Sequence, residues 1–220
     1  MRAAKILPLL FFIIFIAVPL AAKTEFKSNK AITNIKADYL KFNSKKKKTL
    51  FYGNVVLTQP AITLKADSII SYENNKIVEA YGKVYYNNSR DSVEATGKEA
   101  EYWQDTQYIV LKGDAYIKII KDTLTIKADR IDFYTKKSIA KFYDNVRISK
   151  KELSATCGYA VYSDTGKKFV LYDSPVVIRN SDRFASDTII VYINSKEVEM
   201  LGNVHGKLYQ TKPKSGVSKK

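Results

Sequence analysis

The sequence predicts an all-β protein assembled from about six tandem units of roughly thirty residues. Three observations carry this. A short phrase centred on Gly or Asp recurs at positions 53, 82, 113, 144, 173 and 202, with spacings of 29, 31, 31, 29 and 29. A tyrosine column at Tyr72, Tyr102, Tyr134, Tyr162 and Tyr192 keeps spacings of 30, 32, 28 and 30. Beyond the N-terminus no window shows sustained helical periodicity, whereas alternation with a period of two is common.

The clearest unit is Ile62 to Tyr86. Ile62, Leu64 and Ala66 alternate with Thr63 and Lys65, as expected of a half-buried strand. Asn74-Asn75-Lys76 supplies turn residues that tolerate positive φ, and Ile77 to Val84 runs back. Each such piece is hairpin-like and cannot bury its apolar face alone, so the units must stack or wrap. At 220 residues the chain is long enough to bury a sizeable core. Sixteen Tyr against nine Gly and five Pro suit strands rather than disorder.

Residues 1–22 read as an export segment: Arg2 and Lys5 precede the apolar run Ile6 to Leu20, and Ala21-Ala22 close it. Leu20 stands where cleavage favours a small residue, so an uncleaved anchor stays open beside cleavage after Ala22; Pro8 and Pro19 weaken a span. No Cys follows the run, which excludes lipoprotein anchoring, and the chain is expected to leave the cytosol. Residues 23–36 form a lead-in, residues 37–205 the repeat domain and residues 206–220 a basic, disordered tail.

Within the domain the first unit, Ala37 to Thr58, turns at Ser44 to Lys48. The second runs from Ala66 through Asn87-Asn88-Ser89. The third, Val93 to Ile120, departs from pattern: Glu99 and Glu101 fall where Ile69 and Ser71 stand in the second unit, which predicts a slip or bulge that sends Ala100 and Tyr102 inward. The fourth, Leu124 to Ser149, is the most regular, with Thr135-Lys136-Lys137 as its turn. The fifth, Leu153 to Ile178, carries Pro175, which lacks a ladder donor and marks an edge or bulge. The sixth, Phe184 to Val204, turns at Asn194-Ser195-Lys196.

No catalytic set is found. Cys157 and His205 are each the sole residue of their type, so no internal disulfide, His-based triad or His-based zinc site can be built. Cys157 reads as a small buried hydrophobe and His205 as a surface residue. The Asp column (Asp38, Asp67, Asp129 and Asp187) lacks a second ligand at calcium-loop spacing, and corner Asp residues bonding the local backbone explain it better. No metal and no cofactor is expected. The net charge of +15 fits an anionic lipid head group or membrane surface. Nucleic acid is disfavoured, because basic residues crowd turns and ends and no helix or stacking motif could enter a groove.

What remains is an apolar interior. Ile62, Leu64, Ile69, Ile117, Ile126, Ile131, Phe133, Ile148, Val161, Ile178, Ile189 and Val191 are expected to point one way. They form either a packed sandwich core or two walls splayed enough to hold acyl chains. At roughly 0.8 kcal/mol per buried CH₂, a chain of about a dozen carbons would contribute on the order of 10 kcal/mol before costs.

The segments Tyr52-Gly53-Asn54-Val55-Val56-Leu57-Thr58-Gln59, Leu64-Lys65-Ala66-Asp67, Ala80-Tyr81-Gly82-Lys83, Val110-Leu111-Lys112-Gly113-Asp114-Ala115-Tyr116 and Lys127-Ala128-Asp129-Arg130-Ile131 resemble the OstA-like (LptA-like) family over about residues 37–205. The resemblance implies an open β-jellyroll, with two antiparallel sheets forming a V-shaped groove. It also implies a non-enzymatic periplasmic carrier of lipopolysaccharide or a related glycolipid, whose acyl chains enter the groove. The expected partners are that lipid, further copies of the chain joined head to tail by strand addition, and inner- and outer-membrane components of the same jellyroll fold. Two alternatives stand: an LptC-like membrane-anchored component, if residues 6–22 stay attached, and a ligand-free structural β-solenoid scaffold. Asp144, Asp173 and Pro175 depart from the family phrase.

Overall fold

The computed structural model describes residues 33–195 and 197–209; the export segment and all but the start of the basic tail lie outside them. Sixteen antiparallel strands follow in order. They are β1 (Asn34–Lys36), β2 (Tyr39–Asn43), β3 (Lys48–Gln59), β4 (Ile62–Tyr72), β5 (Ile77–Asn88), β6 (Val93–Trp103), β7 (Tyr108–Ile119) and β8 (Leu124–Tyr134). β9 (Ile139–Lys150), β10 (Leu153–Ser163), β11 (Lys168–Tyr172), β12 (Val176–Arg179), β13 (Asp182–Ala185), β14 (Thr188–Tyr192), β15 (Val198–Leu201) and β16 (His205–Lys207) complete the set. β3 to β10 form an up-and-down meander in which each strand pairs with the next.

The long strands do not run straight. Each pairing from β3·β4 to β9·β10 shifts register near its middle, for example between Tyr52 and Val55 and between Lys112 and Ala115. Such a bulge bends a strand. On β4, β6, β8 and β10 it also reverses which residues face inward, as from Ala66 to Ile69, whereas on β3, β5, β7 and β9 the alternation carries through, as from Phe51 to Val55. One meander therefore makes two walls. The first holds β2, the half-strands next to the turns at 44–47, 73–76, 104–107 and 135–138, then β11, β14 and β15; the second holds β1, the opposite halves, then β12, β13 and β16. At β10 the division becomes complete, with Tyr159–Ser163 pairing with β11 and Leu153–Thr156 with β12. The result is a β-jellyroll whose sheet does not close on itself.

The recurring sequence phrase is the bend. Two successive residues have positive φ at Gly53/Asn54, Gly82/Lys83, Gly113/Asp114, Asp144/Asn145, Asp173/Ser174 and Gly202/Asn203. The facing Asp locks it. Asn54 donates to Asp38 at 2.9 Å, Asn145 to Asp129 at 2.8 Å and Asn203 to Asp187 at 3.0 Å. The carboxylates thus accept from an asparagine sixteen residues on, in place of the local backbone bond expected from sequence. In the third unit the partners are exchanged: Lys98 takes the Asp position and pairs with Asp114 at 2.7 Å.

The sequence expectations can be placed on this frame. Ala100 and Tyr102 do pack against the core while Glu101 turns outward to Lys112. Pro175 lies at the corner between β11 and β12, just after the Asp173/Ser174 bend. Residues 34–36, read as lead-in, form β1, and β16 runs past residue 205 to Lys207.

Gly82 has φ +73, and a Cβ there would overlap the Asp67 carboxylate. Gly82→Ala is expected to lower stability by about 2–3 kcal/mol in urea titrations, part from the left-handed backbone and part from Asp67. In an Asp67→Ala background the same substitution should cost about 1–2 kcal/mol.

Candidate functional site

The inward faces of both walls are apolar along unbroken cross-strand rows. On the first wall the row beside the bend runs Phe51, Ile69, Ala80, Ala100, Leu111 and Ile131, then continues through Phe142, Ala160, Leu171, Ile189 and Met200. Small residues (Ala80, Ala100 and Ala160) interrupt the runs of large ones and leave room for side chains of the facing wall. On the second wall Leu57, Leu64, Tyr86, Ala95, Ile117 and Ile126 lead on to Ile148, Ala155 and Val177.

Of the predicted interior residues, Ile69, Ile131 and Ile189 share the first row, and Leu64, Ile117, Ile126 and Ile148 share the second-wall row. Phe133 and Val191 lie one row further from the bend, and all nine are buried. Ile62 is half-buried against the same core. Two predictions fail. Val161 faces outward because the bulge between Cys157 and Tyr159 shifts the alternation, so Ala160 and Tyr162 point inward with no exposed surface. Ile178 is 37% exposed, because the alternation of Phe169 and Leu171 carries across the bend before Pro175 and places Val177 inward. The sequence reading also missed Phe142 and Phe169, whose rings pack 5.7 Å apart. Counting back by twos from each Gly or Asp of the recurring phrase would have found them, Phe142 two residues before Asp144 and Phe169 four before Asp173.

The two walls meet. Ile117, Ile119 and Ile126 from the second and Phe133, Phe142 and Tyr162 from the first border a residual space of about 10 Å³. A drug-sized ligand needs about 300 Å³ or more, so an acyl chain can enter here only if the walls part. Across the side opposite the bends, Lys150 Nζ on the second wall donates to the Ile193 carbonyl of the first at 3.0 Å.

Burial disfavours the ionised forms of Tyr86 and Cys157. It pushes the Tyr86 hydroxyl up to about 12, and the Cys157 thiol likewise to about 12. On the outside of the first wall, Asp132 is only 2% exposed; it accepts from Tyr108 at 2.8 Å and from Arg130 Nε at 2.7 Å. Three strands away on the same outer face, Glu79 accepts from Tyr72 and Tyr81. Among the described residues no cluster of His, Cys, Asp and Glu could hold a metal ion.

Both ends are open. Among the described residues β1 and β2 pair only with β3, and β15 and β16 only with β14 and β13, respectively, leaving a strand edge without a described partner on each wall at each end. Large apolar side chains crowd these edges: Leu40 (58% exposed) and Phe42 (64%) at one, Leu201 (52%) and Leu208 (71%) at the other.

An unclosed two-walled jellyroll with an apolar interior, free edges at both ends and no metal-ligand cluster among the described residues defines a scaffold suited to apolar cargo and strand addition. A family model described as LptA/(LptD N-terminal domain) LPS transport protein matches residues 34–139 and 117–197. The chain belongs to this lipopolysaccharide-transport family. Among solved structures it matches LptH of Pseudomonas aeruginosa, the LptA-homologous periplasmic component of the lipopolysaccharide transport device. That match has 13% identity over 82% of this chain and 96% of that one, with a TM-score of 0.26. No curated protein sequence matches the chain.

Since thiol chemistry runs through the thiolate, a rise from 9.0 to about 12 should make Cys157 roughly a thousandfold less reactive than an exposed thiol at pH 8. Alkylation by iodoacetamide, followed by mass spectrometry, is expected only once urea has unfolded the chain.

Proposed function

We propose that this chain is a periplasmic carrier that takes the acyl chains of lipopolysaccharide between its walls and passes the lipid along copies joined head to tail. The observation that carries the reading is the continuity of the apolar rows from one open end to the other. Leu40 and Phe42 extend the first wall's inward face at the β2 edge, since Leu40 pairs with buried Phe51. Leu208, two residues beyond Gly206, continues the second wall's inward face at the other end. Strand addition would satisfy the free edges and cover these side chains in one step. The phosphorylated head group would stay in water, near Lys and Arg side chains.

Loading requires the walls to move apart on the side opposite the bends, where side-chain and turn contacts such as Lys150 to Ile193 hold them. The bends are covalent and stay. The gain from burying acyl CH₂ groups, about 0.8 kcal/mol each, would offset the lost wall-to-wall packing. A second reading, a ligand-free structural scaffold, is favoured by one observation: the residual interior space of about 10 Å³.

The wild-type chain, purified after incubation with envelope lipopolysaccharide, is expected to yield stoichiometric lipid by mass spectrometry of a solvent extract. Phe133→Asp should lose it while keeping its far-ultraviolet circular dichroism. A lipid-free wild type that still polymerises would establish the scaffold instead.

For assembly, light scattering should show concentration-dependent growth of the wild type. The pair Leu40→Glu and Phe42→Glu, on an exposed edge, should stay monomeric. Unchanged growth in that variant would remove the β2 edge from the junction.

A further inference from the structure

The outward faces of the two walls differ in charge. On the first wall the central cations are matched, Lys112 with Glu101 and Arg130 with Asp132. On the second wall one cross-strand row runs Lys65, Tyr85, Thr96, Tyr116, Lys127 and Arg147. Neither Lys127 nor Arg147 forms a salt bridge among the described residues. Sequence alone placed the basic residues in turns and ends, and this row escaped that reading.

Lys127 and Arg147 are direct cross-strand neighbours on β8 and β9. Like charges at this position, with Cβ atoms about 5 Å apart, repel and weaken the sheet. An anion seated between them would remove that penalty and could accept from both side chains. Both residues border a solvent-open concavity of about 690 Å³, which Thr96, Tyr116, Thr125 and Asn145 also line. That volume lies within the range of small-ligand sites, about 300–1,000 Å³. Lys127 Nζ stands 5.7 Å from the centre of the Tyr116 ring, a contact that helps fix its position. Two carboxylates also border the hollow, and both are engaged at the bend: Asp114 with Lys98 at 2.7 Å and Asp129 with Asn145 at 2.8 Å.

We infer that this concavity is a binding site for a phosphorylated saccharide, with the phosphate between Lys127 and Arg147 and sugar hydroxyls on Thr96, Thr125 and Asn145. A bare anion would leave the hydroxyl and amide lining unused, and a flat membrane surface would not fill a hollow. The sheet separates this site from the apolar interior, so it stands whether or not acyl chains enter there. A glycolipid head group and a soluble sugar phosphate offer the same chemistry.

The test is nuclear magnetic resonance of the ¹⁵N-labelled full chain. Glucose 1-phosphate is expected to give saturable amide shifts at Thr96, Tyr116, Lys127 and Arg147, and glucose none. Lys127→Gln and Arg147→Gln, both exposed, should each weaken binding about tenfold with the remaining spectrum unchanged, the loss typical of one charge-assisted hydrogen bond. De-acylated lipopolysaccharide binding more tightly than glucose 1-phosphate would uphold the site and assign it to the head group. Equal affinity would uphold it for soluble sugar phosphates. The inference is overturned if shifts are absent, if they scatter over exposed lysines elsewhere, or if inorganic phosphate binds as tightly as the sugar phosphate.

Discussion

Everything in this molecule depends on a strand that bends midway without ending. A pair of residues in the left-handed region, such as Gly82 and Lys83 with φ +73 and +46, inserts the bulge that bends the strand and hands it from one wall to the other. Because the pair recurs in every second strand of the meander and the strands between follow it through their shifted register, the bends line up and the two walls face each other. A jellyroll follows from one local backbone event repeated at intervals of about thirty residues. The Asp–Asn pairs across the bends, and the exchanged Lys98–Asp114 pair, hold its angle with short polar contacts on the outside, where solvent satisfies their remaining capacity.

This construction leaves the interior with two properties that pull against each other. The rows from Phe51 to Met200 and from Leu57 to Val177 give an unbroken apolar surface. Interlocking large and small side chains also bring the walls together, with Tyr162, Phe169 and Leu171 fully buried. The covalent bends fix one long side of the sandwich, and the opposite side is held by weaker contacts alone.

The two outer faces show that one sheet can carry two electrostatic characters. The first wall buries Asp132 beneath Arg130 and Tyr108 and matches its central charges in place, which makes a self-contained polar cover. The second wall leaves Lys127 and Arg147 side by side above a hollow. Net charge by itself could not distinguish these arrangements, since it reports how many cations there are and not which of them find a carboxylate.

The sequence by itself determined the all-β class, the tandem organisation and most of the apolar interior, because a period of two and a phrase every thirty residues are local properties of the chain. Ile131, Phe133 and Ile126 could be placed inside from alternation alone. Tertiary structure decided what depends on register. Val161 faces outward because the bulge between Cys157 and Tyr159 adds a residue to β10, and an added residue reverses every side chain beyond it; Ile178 faces outward because the alternation set by Phe169 and Leu171 carries across the bend to Val177. Alternation within a strand cannot reveal that step. Nor could it show how closely the walls approach, which depends on side chains brought together from strands far apart in sequence. The Lys127–Arg147 pair belongs to the same class: twenty residues separate the two in the chain, and the turn between β8 and β9 with the bulge beyond it makes them neighbours.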